Sequence, residues 1–198
     1  MNRNALLIFI KNPIPGKVKT RLAATVGDDM ALKIYRELLG HTRSIAESIQ
    51  ADRFVFYSHF IDETDEWHPS KFNKRLQKGD DLGIRMSTAF QEVLSTYEKA
   101  VIIGSDCATL STEMVEEAFR LLGQHDGVMG PAMDGGYYLL GMKEYLPKLF
   151  QDIVWSTDEV GSQTLMRFNE MKKNYALLPL LSDIDYEEDW KKYGWEIE

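Results

Sequence analysis

The beginning of the chain alternates between a continuous apolar run and apolar residues at helical spacing. Residues 5–11 are almost all apolar, which indicates a central parallel strand covered on both faces. Residues 12–16 then interrupt the run with two prolines and a glycine. Residues 28–48 have the spacing of an amphipathic helix, and residues 53–58 return to a strand that contains Phe54, Val55 and Phe56. The apolar helical positions include Met30, Ile34, Leu38 and Ile45. We therefore predict a βαβ unit.

The middle of the chain repeats this alternation. The spacing predicts a helix over residues 81–97, followed directly by a short apolar strand over residues 100–104. Ser111 is the predicted N-cap of a helix that ends near Gly123. Two further strands are predicted at residues 126–129 and 137–142.

The last part of the chain has a predicted helix over residues 157–172 and a predicted strand over residues 176–181, and an acidic segment follows at residues 182–189. Repeated alternation of strands and helices is typical of a mostly parallel sheet with helices on both faces. We therefore predict a three-layer α/β/α sandwich. Ligands bind such sheets at the carboxyl ends of the strands.

Length and composition exclude several classes of protein. A chain of 198 residues, with ordinary apolar and charged fractions, predicts one domain over residues 1–198. A net charge of -8 argues against a nucleic-acid partner, because such proteins need a basic surface. The single cysteine, Cys107, excludes an internal disulfide framework. The apolar run at residues 5–10 is too short to span a membrane and lacks the cleavage pattern of a signal peptide, so we expect a cytoplasmic location.

A basic stretch follows the first predicted strand. Residues 11–22 contain four basic side chains and a glycine, which is unusual in an acidic protein. Gly16 permits close approach of the backbone to a ligand, and Lys17, Lys19 and Arg21 can contact phosphate oxygens. A solvated basic loop is the alternative interpretation. The segment is not a P-loop, because it lacks the G-x-x-x-x-G-K-[ST] spacing.

Acidic residues follow the later strands. Asp106 stands at the end of the strand at residues 100–104, where a carboxylate can hold a hard divalent cation, although it could simply cap the next turn. Asp134, beside Gly135 and Gly136, could face a sugar or acceptor hydroxyl, and the alternative is a tight hairpin turn. Cys107 could be taken for a nucleophile, but we expect a small buried residue.

The acidic segment near the end offers a second cation ligand. Asp183 and Asp185 alternate with other residues, so both would point the same way in an extended chain, and one of them could complete a metal site. A solvated acidic face is the alternative interpretation of such a run.

Several motifs occur together in the order seen in one family. They are the basic stretch at residues 11–22, Gln77-Lys78-Gly79-Asp80-Asp81-Leu82-Gly83-Ile84-Arg85-Met86, Gly104-Ser105-Asp106-Cys107, the residues 130–137, Val154-Trp155-Ser156-Thr157 and Asp183-Ile184-Asp185. With these motifs the chain resembles the nucleotide-diphospho-sugar transferases of GT-A fold, specifically a small bacterial glycosyltransferase-A-like group associated with arsenosugar biosynthesis. The resemblance covers nearly the whole chain. Two departures are Ala108 in place of the usual proline and Tyr186 in place of the usual threonine.

The resemblance implies roles for individual residues. The implied nucleotide and phosphate site consists of Lys11, Pro15, Gly16, Lys17, Lys19, Thr20, Arg21, Gly79, Asp81, Arg85 and Ser105. Asp134, Gly135, Gly136 and Tyr137 fall where the sugar or acceptor binds. Asp106 and Asp185 would hold magnesium or manganese, and the implied catalytic residues are Asp106, Asp134, Lys19 and Arg21.

The resemblance leaves three functions open. The first is metal-dependent glycosyl transfer from a nucleotide sugar to a small-molecule acceptor. The second is nucleotidyl transfer from a nucleoside triphosphate, because guanylyltransferases share the fold, and the third is a non-catalytic nucleotide-binding domain. In both enzymatic functions, basic side chains and the metal would stabilise the charge that develops on the leaving phosphates. Asp134 would act as general base or only orient the acceptor.

Overall fold

The computed structural model of the chain describes residues 3–197. Its strands, in chain order, are β1 Asn4–Ile10, β2 Asp52–Tyr57, β3 Asn73–Leu76, β4 Lys99–Ile103, β5 Gly127–Pro131, β6 Tyr137–Met142 and β7 Tyr175–Leu177. Its helices are α1 Thr20–Val26, α2 Asp28–Ser48, α3 Leu82–Leu94, α4 Thr112–Leu121, α5 Val160–Glu170 and α6 Glu187–Tyr193, with a 3₁₀ turn at Pro147–Phe150.

The seven strands join one sheet in the order β3-β2-β1-β4-β6-β5-β7. Strand β1 is parallel to both of its neighbours, and β2 with β3 and β5 with β7 also pair in parallel. Strand β6 runs antiparallel to β4 and to β5. The predicted mostly parallel sheet is therefore confirmed. Because β1, β2, β3, β4 and β5 point the same way, the residues that follow them lie along one edge of the sheet, where ligands bind in this class of fold.

The buried side chains of β1 alternate between the two faces of the sheet. Leu6 and Ile8 join one apolar cluster, whereas Ala5 and Leu7 join the other. Helices α2 and α4 cover the first face, and α3, α5 and the 3₁₀ turn cover the second. A strand covered on both sides needs apolar residues at every position, which explains the continuous apolar run of β1.

Helix α2 begins and ends at the residues that its apolar spacing predicts. Ile34, Leu38 and Ile45 are buried, whereas Met30 is 43% exposed, so the buried stripe begins one residue later at Ala31. The predicted N-cap Ser111 is confirmed, because its hydroxyl accepts the backbone N–H of Met114 at 3.4 Å.

Two short helices lie where the sequence predicted none. Helix α1 begins within the basic stretch, at Thr20, and continues beyond it to Val26, and α6 falls partly within the acidic segment; each is seven residues long. Helices this short have little stability of their own and depend on packing against the rest of the protein. Both contribute to a third apolar cluster with α2, which contains Leu22, Ala31, Ile34 and Ile184 and has Trp190 packed against it.

The two edge strands also differ from the prediction. Strand β3 has the sequence NKRL and three exposed residues, so it lacks the apolar pattern of a buried strand. Strand β7 was predicted over residues 176–181 but ends at Leu177. Pro179 has no N–H to donate to a ladder, and beyond it Leu181 makes only an isolated bridge to Ala132. Among residues 3–197, no helix is long and apolar enough to cross a membrane.

Candidate functional site

A buried tyrosine joins the ends of the two central strands. Tyr35, on α2, donates its hydroxyl to the carbonyl of Lys11 at 3.0 Å and accepts the Lys11 N–H at 2.9 Å. The same hydroxyl lies 3.2 Å from Ser105 Oγ. Burial, with a smaller effect of the Asp106 charge, raises the pKa of Tyr35, so the hydroxyl stays neutral. Lys11 and Ser105, both predicted phosphate-site residues, are therefore held at adjacent strand ends.

The loop after β1 is also fixed by Asn12, which is buried. Its side-chain amide donates to the carbonyl of Phe60 at 2.9 Å, and its Oδ1 accepts the N–H of His59 at 3.0 Å. These bonds join the loops that follow β1 and β2. Beyond Asn12 the chain turns at Gly16, whose φ of 68° is a conformation that glycine favours. Pro15, Gly16 and Lys17 are exposed at this turn.

At the end of the loop, the side chain of Lys19 turns inward and meets two aspartates. Lys19 Nζ lies 2.7 Å from Asp106 Oδ1 and 3.8 Å from Asp185 Oδ1. Arg21 completes the group, because its guanidinium donates to Asp185 Oδ2 at 2.9 Å. Residues predicted separately from three parts of the sequence therefore form one cluster, which we call the Lys19–Asp106–Asp185–Arg21 cluster. Thr20 lies beside it as the first residue of α1 and is exposed.

The backbone of Lys19 has an uncommon conformation. Its φ is 48° and its ψ is 43°, the left-handed region, which a lysine rarely adopts. Lys19 is the N-cap of α1, and its carbonyl accepts the N–H of Ala23 at 2.8 Å. Although Lys19 is in a surface loop, its side chain is only 5% exposed. Such conformations persist where the surrounding contacts enforce them, and they are frequent at functional sites.

Asp185 is held in the cluster by its own backbone neighbours. Ile184 is fully buried in the third apolar cluster and donates its N–H to the carbonyl of Asp106 at 2.9 Å. Asp189 Oδ2 accepts the N–H groups of Asp185, at 3.0 Å, and of Tyr186, at 2.8 Å. Sequence reasoning missed Asp189. The spacing from residue 186 to 189 suits a capping box, but a tyrosine stands where serine or threonine would signal one.

Asp183 lies among the other acidic groups of this edge. Its pKa is raised to about 7, chiefly by burial and next by the charges of Asp106 and Asp134, against a lowering by the ammonium of Lys19. A carboxyl with this pKa can gain or lose a proton near neutral pH. The sequence offered Asp183 and Asp185 as alternatives for the second acidic ligand. In the structure Asp185 is the one paired with Lys19 and Arg21.

The motif after β3 borders the same edge through backbone contacts. Gln77 donates its side-chain amide to the carbonyls of Ile10 and Phe56, which draws this loop against the ends of β1 and β2. Arg85 Nε donates to the carbonyl of Gly79 at 2.9 Å. Asp81 Oδ1 accepts the N–H of Ile84 at 2.7 Å and caps α3. The side chains of Arg85 and Asp81 therefore shape the loop, and the sequence did not single out Gln77 for this role.

The motif after β5 is a hairpin turn to β6. Asp134 Oδ1 accepts the N–H of Gly136 at 2.9 Å, and Gly135 has a φ of 87°. A side chain at Gly135 would overlap the carbonyl of Asp158, and Gly161 donates its N–H to the Gly135 carbonyl at 2.8 Å. The segment before α5 therefore packs directly on the hairpin. Asp134 and the glycines are at the turn, at the same edge as Asp106.

The side chain of Tyr137 has a different environment from the hairpin residues that precede it. It is packed against the second apolar cluster, and its hydroxyl contacts Met86 Sδ of α3 at 3.8 Å. Burial raises its pKa strongly. The side chain of Tyr137 is thus part of the contact between β6 and α3, and the turn itself presents Asp134 and two glycine backbones.

The predicted ligands of a divalent cation are Asp106 and Asp185. Within residues 3–197 no three His, Cys, Asp or Glu side chains are gathered in the arrangement of a metal site. Two carboxylates nevertheless converge on one cation, the ammonium of Lys19. Magnesium commonly takes one or two carboxylates from the protein and fills its other positions with water and substrate phosphates. The donor set of Asp106 and Asp185 fits that requirement.

Comparisons with known proteins find solved structures of the same fold. A crystal structure from Desulfovibrio desulfuricans G20, provisionally assigned as a nucleotide-diphospho-sugar transferase, is 32% identical, with a TM-score of 0.87 over 94% of this chain and 84% of that one. The inositol-1-phosphate CTP transferase from T. maritima is 14% identical, with a TM-score of 0.65 over 98% of this chain and 94% of that one.

A third structure, of glucosyl-3-phosphoglycerate synthase from Mycobacterium tuberculosis with Mn²⁺, uridine diphosphate and phosphoglyceric acid, is 9% identical. Its TM-score is 0.55 over 92% of this chain and 69% of that one. These two distant likenesses confirm the fold alone.

No curated protein matches the chain. A family model described as "Uncharacterized protein conserved in bacteria" matches residues 41–157, which include the Gln77–Met86 motif, Asp106 and the Asp134 hairpin. The chain therefore belongs to this bacterial family, DUF2064.

Proposed function

We propose that the protein is a metal-dependent transferase that uses a nucleotide-activated donor and transfers a glycosyl group from a nucleotide diphosphate sugar to a small acceptor. The observation that carries this proposal is the Lys19–Asp106–Asp185–Arg21 cluster, in which two basic side chains meet two carboxylates. A leaving nucleoside diphosphate gains negative charge as the sugar departs. Basic side chains can contact its phosphates directly, and carboxylates can hold a cation that neutralises the same charge. The likeness to the assigned sugar transferase of D. desulfuricans supports the same activity.

The donor phosphates would lie against the loop that contains Gly16. Lys17 is exposed there, and Lys19 and Arg21 supply further positive charge at the start of α1. Asp106 and Asp185 would hold magnesium or manganese at the same edge of the sheet. A bound divalent cation would neutralise charge on the leaving diphosphate. A protein of the same fold has been crystallised with Mn²⁺ and uridine diphosphate, so Mn²⁺ is the cation chosen for the tests below.

The acceptor would bind at the hairpin that follows β5. Asp134 is exposed at this turn, where its carboxylate can orient an acceptor hydroxyl. Asp183 stands near Asp106 and Asp134 with a pKa of about 7. A carboxylate in this position could accept the proton that the acceptor loses. The resemblance to a family associated with arsenosugar biosynthesis concerns the identity of the acceptor, and that identity stays a prediction.

Nucleotidyl transfer is the second candidate. The same fold occurs in the inositol-1-phosphate CTP transferase of T. maritima, so the architecture suits this activity as well. In that reaction a phosphate of the acceptor would attack the α-phosphorus of a nucleoside triphosphate, and pyrophosphate would leave. The same loop and the same carboxylates would serve, so the products, rather than the residues, separate the two activities.

The test begins with a thermal-shift screen of nucleotide sugars and nucleoside triphosphates with and without Mn²⁺, since a ligand that binds the native state raises its melting temperature. Each stabilising ligand is then incubated with the enzyme and Mn²⁺, and the products are separated. Sugar transfer predicts slow release of nucleoside diphosphate from a nucleotide sugar, with transfer to water. Pyrophosphate release from a triphosphate mixed with a phosphorylated acceptor, without cleavage of any nucleotide sugar, would favour nucleotidyl transfer.

Two variants control this experiment. Asp106→Asn removes one charge at the end of β4 without changing core volume, so it should lose the metal-dependent release and keep the fold. Asp29→Asn makes the same chemical change at an exposed position in the first turn of α2 and should keep full activity. Equal activity of Asp106→Asn and the unmodified protein would reject the proposed cation site.

A further inference from the structure

The ammonium of Lys19 occupies the position between the two carboxylates that a divalent cation would need. Lys19 Nζ is 2.7 Å from Asp106 Oδ1 and 3.8 Å from Asp185 Oδ1. Magnesium contacts its carboxylate oxygens at about 2.1 Å, inside the space that this ammonium fills. Lys19 cannot keep this position while a cation is bound between the Oδ1 atoms of Asp106 and Asp185.

The backbone conformation of Lys19 sets the direction of its side chain. The left-handed conformation of Lys19, with φ at 48°, turns its side chain away from the solvent that surrounds Lys17. The carboxylates are also fixed, since Ile184 N–H bonds to the Asp106 carbonyl and Asp189 holds the backbone of Asp185. Compared with the two carboxylates that it contacts, the lysine has the longer and more flexible side chain, so its ammonium can move away while they stay in place.

The charge of the edge favours retention of a cation. Asp134 and Asp183 also lie here, so four aspartates face two basic side chains, Lys19 and Arg21. Removal of the ammonium without a replacement would leave Asp106 without a basic partner beside Asp185, which Arg21 alone would then compensate. Two like charges a few ångströms apart repel strongly where solvent is partly excluded.

We infer that Lys19 is the resident counter-ion of Asp106 and Asp185, and that a divalent cation binds by displacing it and so releases the ammonium to the donor phosphates. This inference rests on the proposed function for the identity of the cation and the phosphates. It adds that binding of the cation and binding of the phosphates are coupled through Lys19. Cation binding frees a phosphate ligand, and by thermodynamic reciprocity a phosphate group that attracts Lys19 strengthens cation binding.

The coupling predicts that the protein binds Mn²⁺ more tightly when the charge of Lys19 is removed. Binding of Mn²⁺ to the whole protein, without nucleotide, is measured by the electron paramagnetic resonance signal of free Mn²⁺. Lys19→Met keeps much of the length of the side chain and removes the competing charge, so it should bind Mn²⁺ at least about tenfold more tightly than the unmodified protein. Lys17→Met, at an exposed position of the same loop, should change the affinity less than about twofold.

Opposite results overturn the inference. Equal or weaker Mn²⁺ binding by folded Lys19→Met would mean that Lys19 does not compete with the cation. Absence of Mn²⁺ binding in both proteins would mean that the carboxylates do not form a cation site even when the lysine is gone. The double variant Lys19→Met with Asp106→Asn should lose the gain, and its persistence would place the ion elsewhere.

A second measurement uses the unmodified protein and so does not depend on the folding of a variant. Lys19 is 5% exposed and ion-paired, so an amine-modifying reagent should label it slowly. Mn²⁺ should accelerate labelling of Lys19 several-fold and leave Lys17 unchanged. No acceleration, or slower labelling, would overturn the inference. Neither measurement contains a nucleotide, so failure of the nucleotide-sugar assay and failure of this coupling are separate results.

Discussion

Ile184 donates its backbone N–H to the carbonyl of Asp106 at 2.9 Å. This one hydrogen bond joins the end of β4 to the acidic segment near the end of the chain. Because Ile184 is fully buried, the residue after it, Asp185, is brought beside Lys19 and Arg21. The second proposed cation ligand therefore depends on the packing of a segment that precedes a seven-residue helix.

The basic residues at the start of α1 should recognise phosphate rather than nucleoside. Lys19→Ala and Arg21→Ala, tested with saturating Mn²⁺, are expected to weaken binding of a nucleoside diphosphate about tenfold or more, because charge-assisted hydrogen bonds to phosphate oxygens are lost. The affinity for the corresponding nucleoside should change less than about twofold. Isothermal titration with both ligands measures the difference. Equal losses for diphosphate and nucleoside would indicate a structural role instead.

Asp189 should stabilise the end of the chain and the site together. Asp189→Ala removes the acceptor for the N–H groups of Asp185 and Tyr186, and we expect the free energy of unfolding to fall by about 1 kcal/mol. We also expect weaker Mn²⁺ binding, since Asp185 is no longer held. Glu188→Ala changes an exposed neighbour and should stay within about 0.5 kcal/mol of the unmodified protein. Urea denaturation and Mn²⁺ titration of both variants provide the comparison.

Asp183 should make stability fall as pH rises. Its folded pKa of about 7 exceeds the ordinary value near 4, so between these pH values the folded protein holds a proton that the unfolded chain has lost. The destabilisation is absent below about pH 4 and complete above about pH 7. Asp183→Asn should therefore be more stable than the unmodified protein at pH 8, by an amount on the order of a few kcal/mol, and similar to it near pH 4.

Denaturation with EDTA present, at several pH values, tests this prediction about Asp183. Parallel stability curves for the two proteins would contradict it, because the difference between them must grow with pH if the Asp183 carboxyl is its cause.

The hairpin glycine should resist substitution far more than a helical one. Gly135→Ala places a side chain at a φ of 87°, and its Cβ would overlap the Asp158 carbonyl, so we expect a loss of about 2 to 4 kcal/mol of unfolding free energy. Gly40→Ala is the matched control. Apart from its chain neighbours and the backbone of its own helix, nothing lies within 4 Å of a Cβ at this α2 position, so helix propensity should increase stability by about 0.5 to 1 kcal/mol. A loss of less than about 1 kcal/mol in Gly135→Ala would contradict this prediction, because it would mean that the segment containing Asp158 can shift to make room for the side chain.

Apolar periodicity by itself determined the central architecture. Strand β1, helix α2 and strand β6 appear where their patterns predict them, because a strand or helix between two apolar layers must carry that pattern in its own residues. The sequence also identified the basic stretch, Asp106 and the Asp183–Asp185 pair as candidates, since charged residues directly after buried strands stand out against the apolar background.

Tertiary structure decided how those candidates combine. The short helices α1 and α6 form through contacts with α2, which no local pattern records. Those contacts direct Lys19 inward to Asp106 and place Asp185, rather than Asp183, beside Arg21. Likewise, Tyr35 and Gln77 join strand ends from positions far away in the chain. The physical reason is that spacing along the chain specifies which face a side chain lies on, whereas its partner is specified only when the strands are ordered in the sheet.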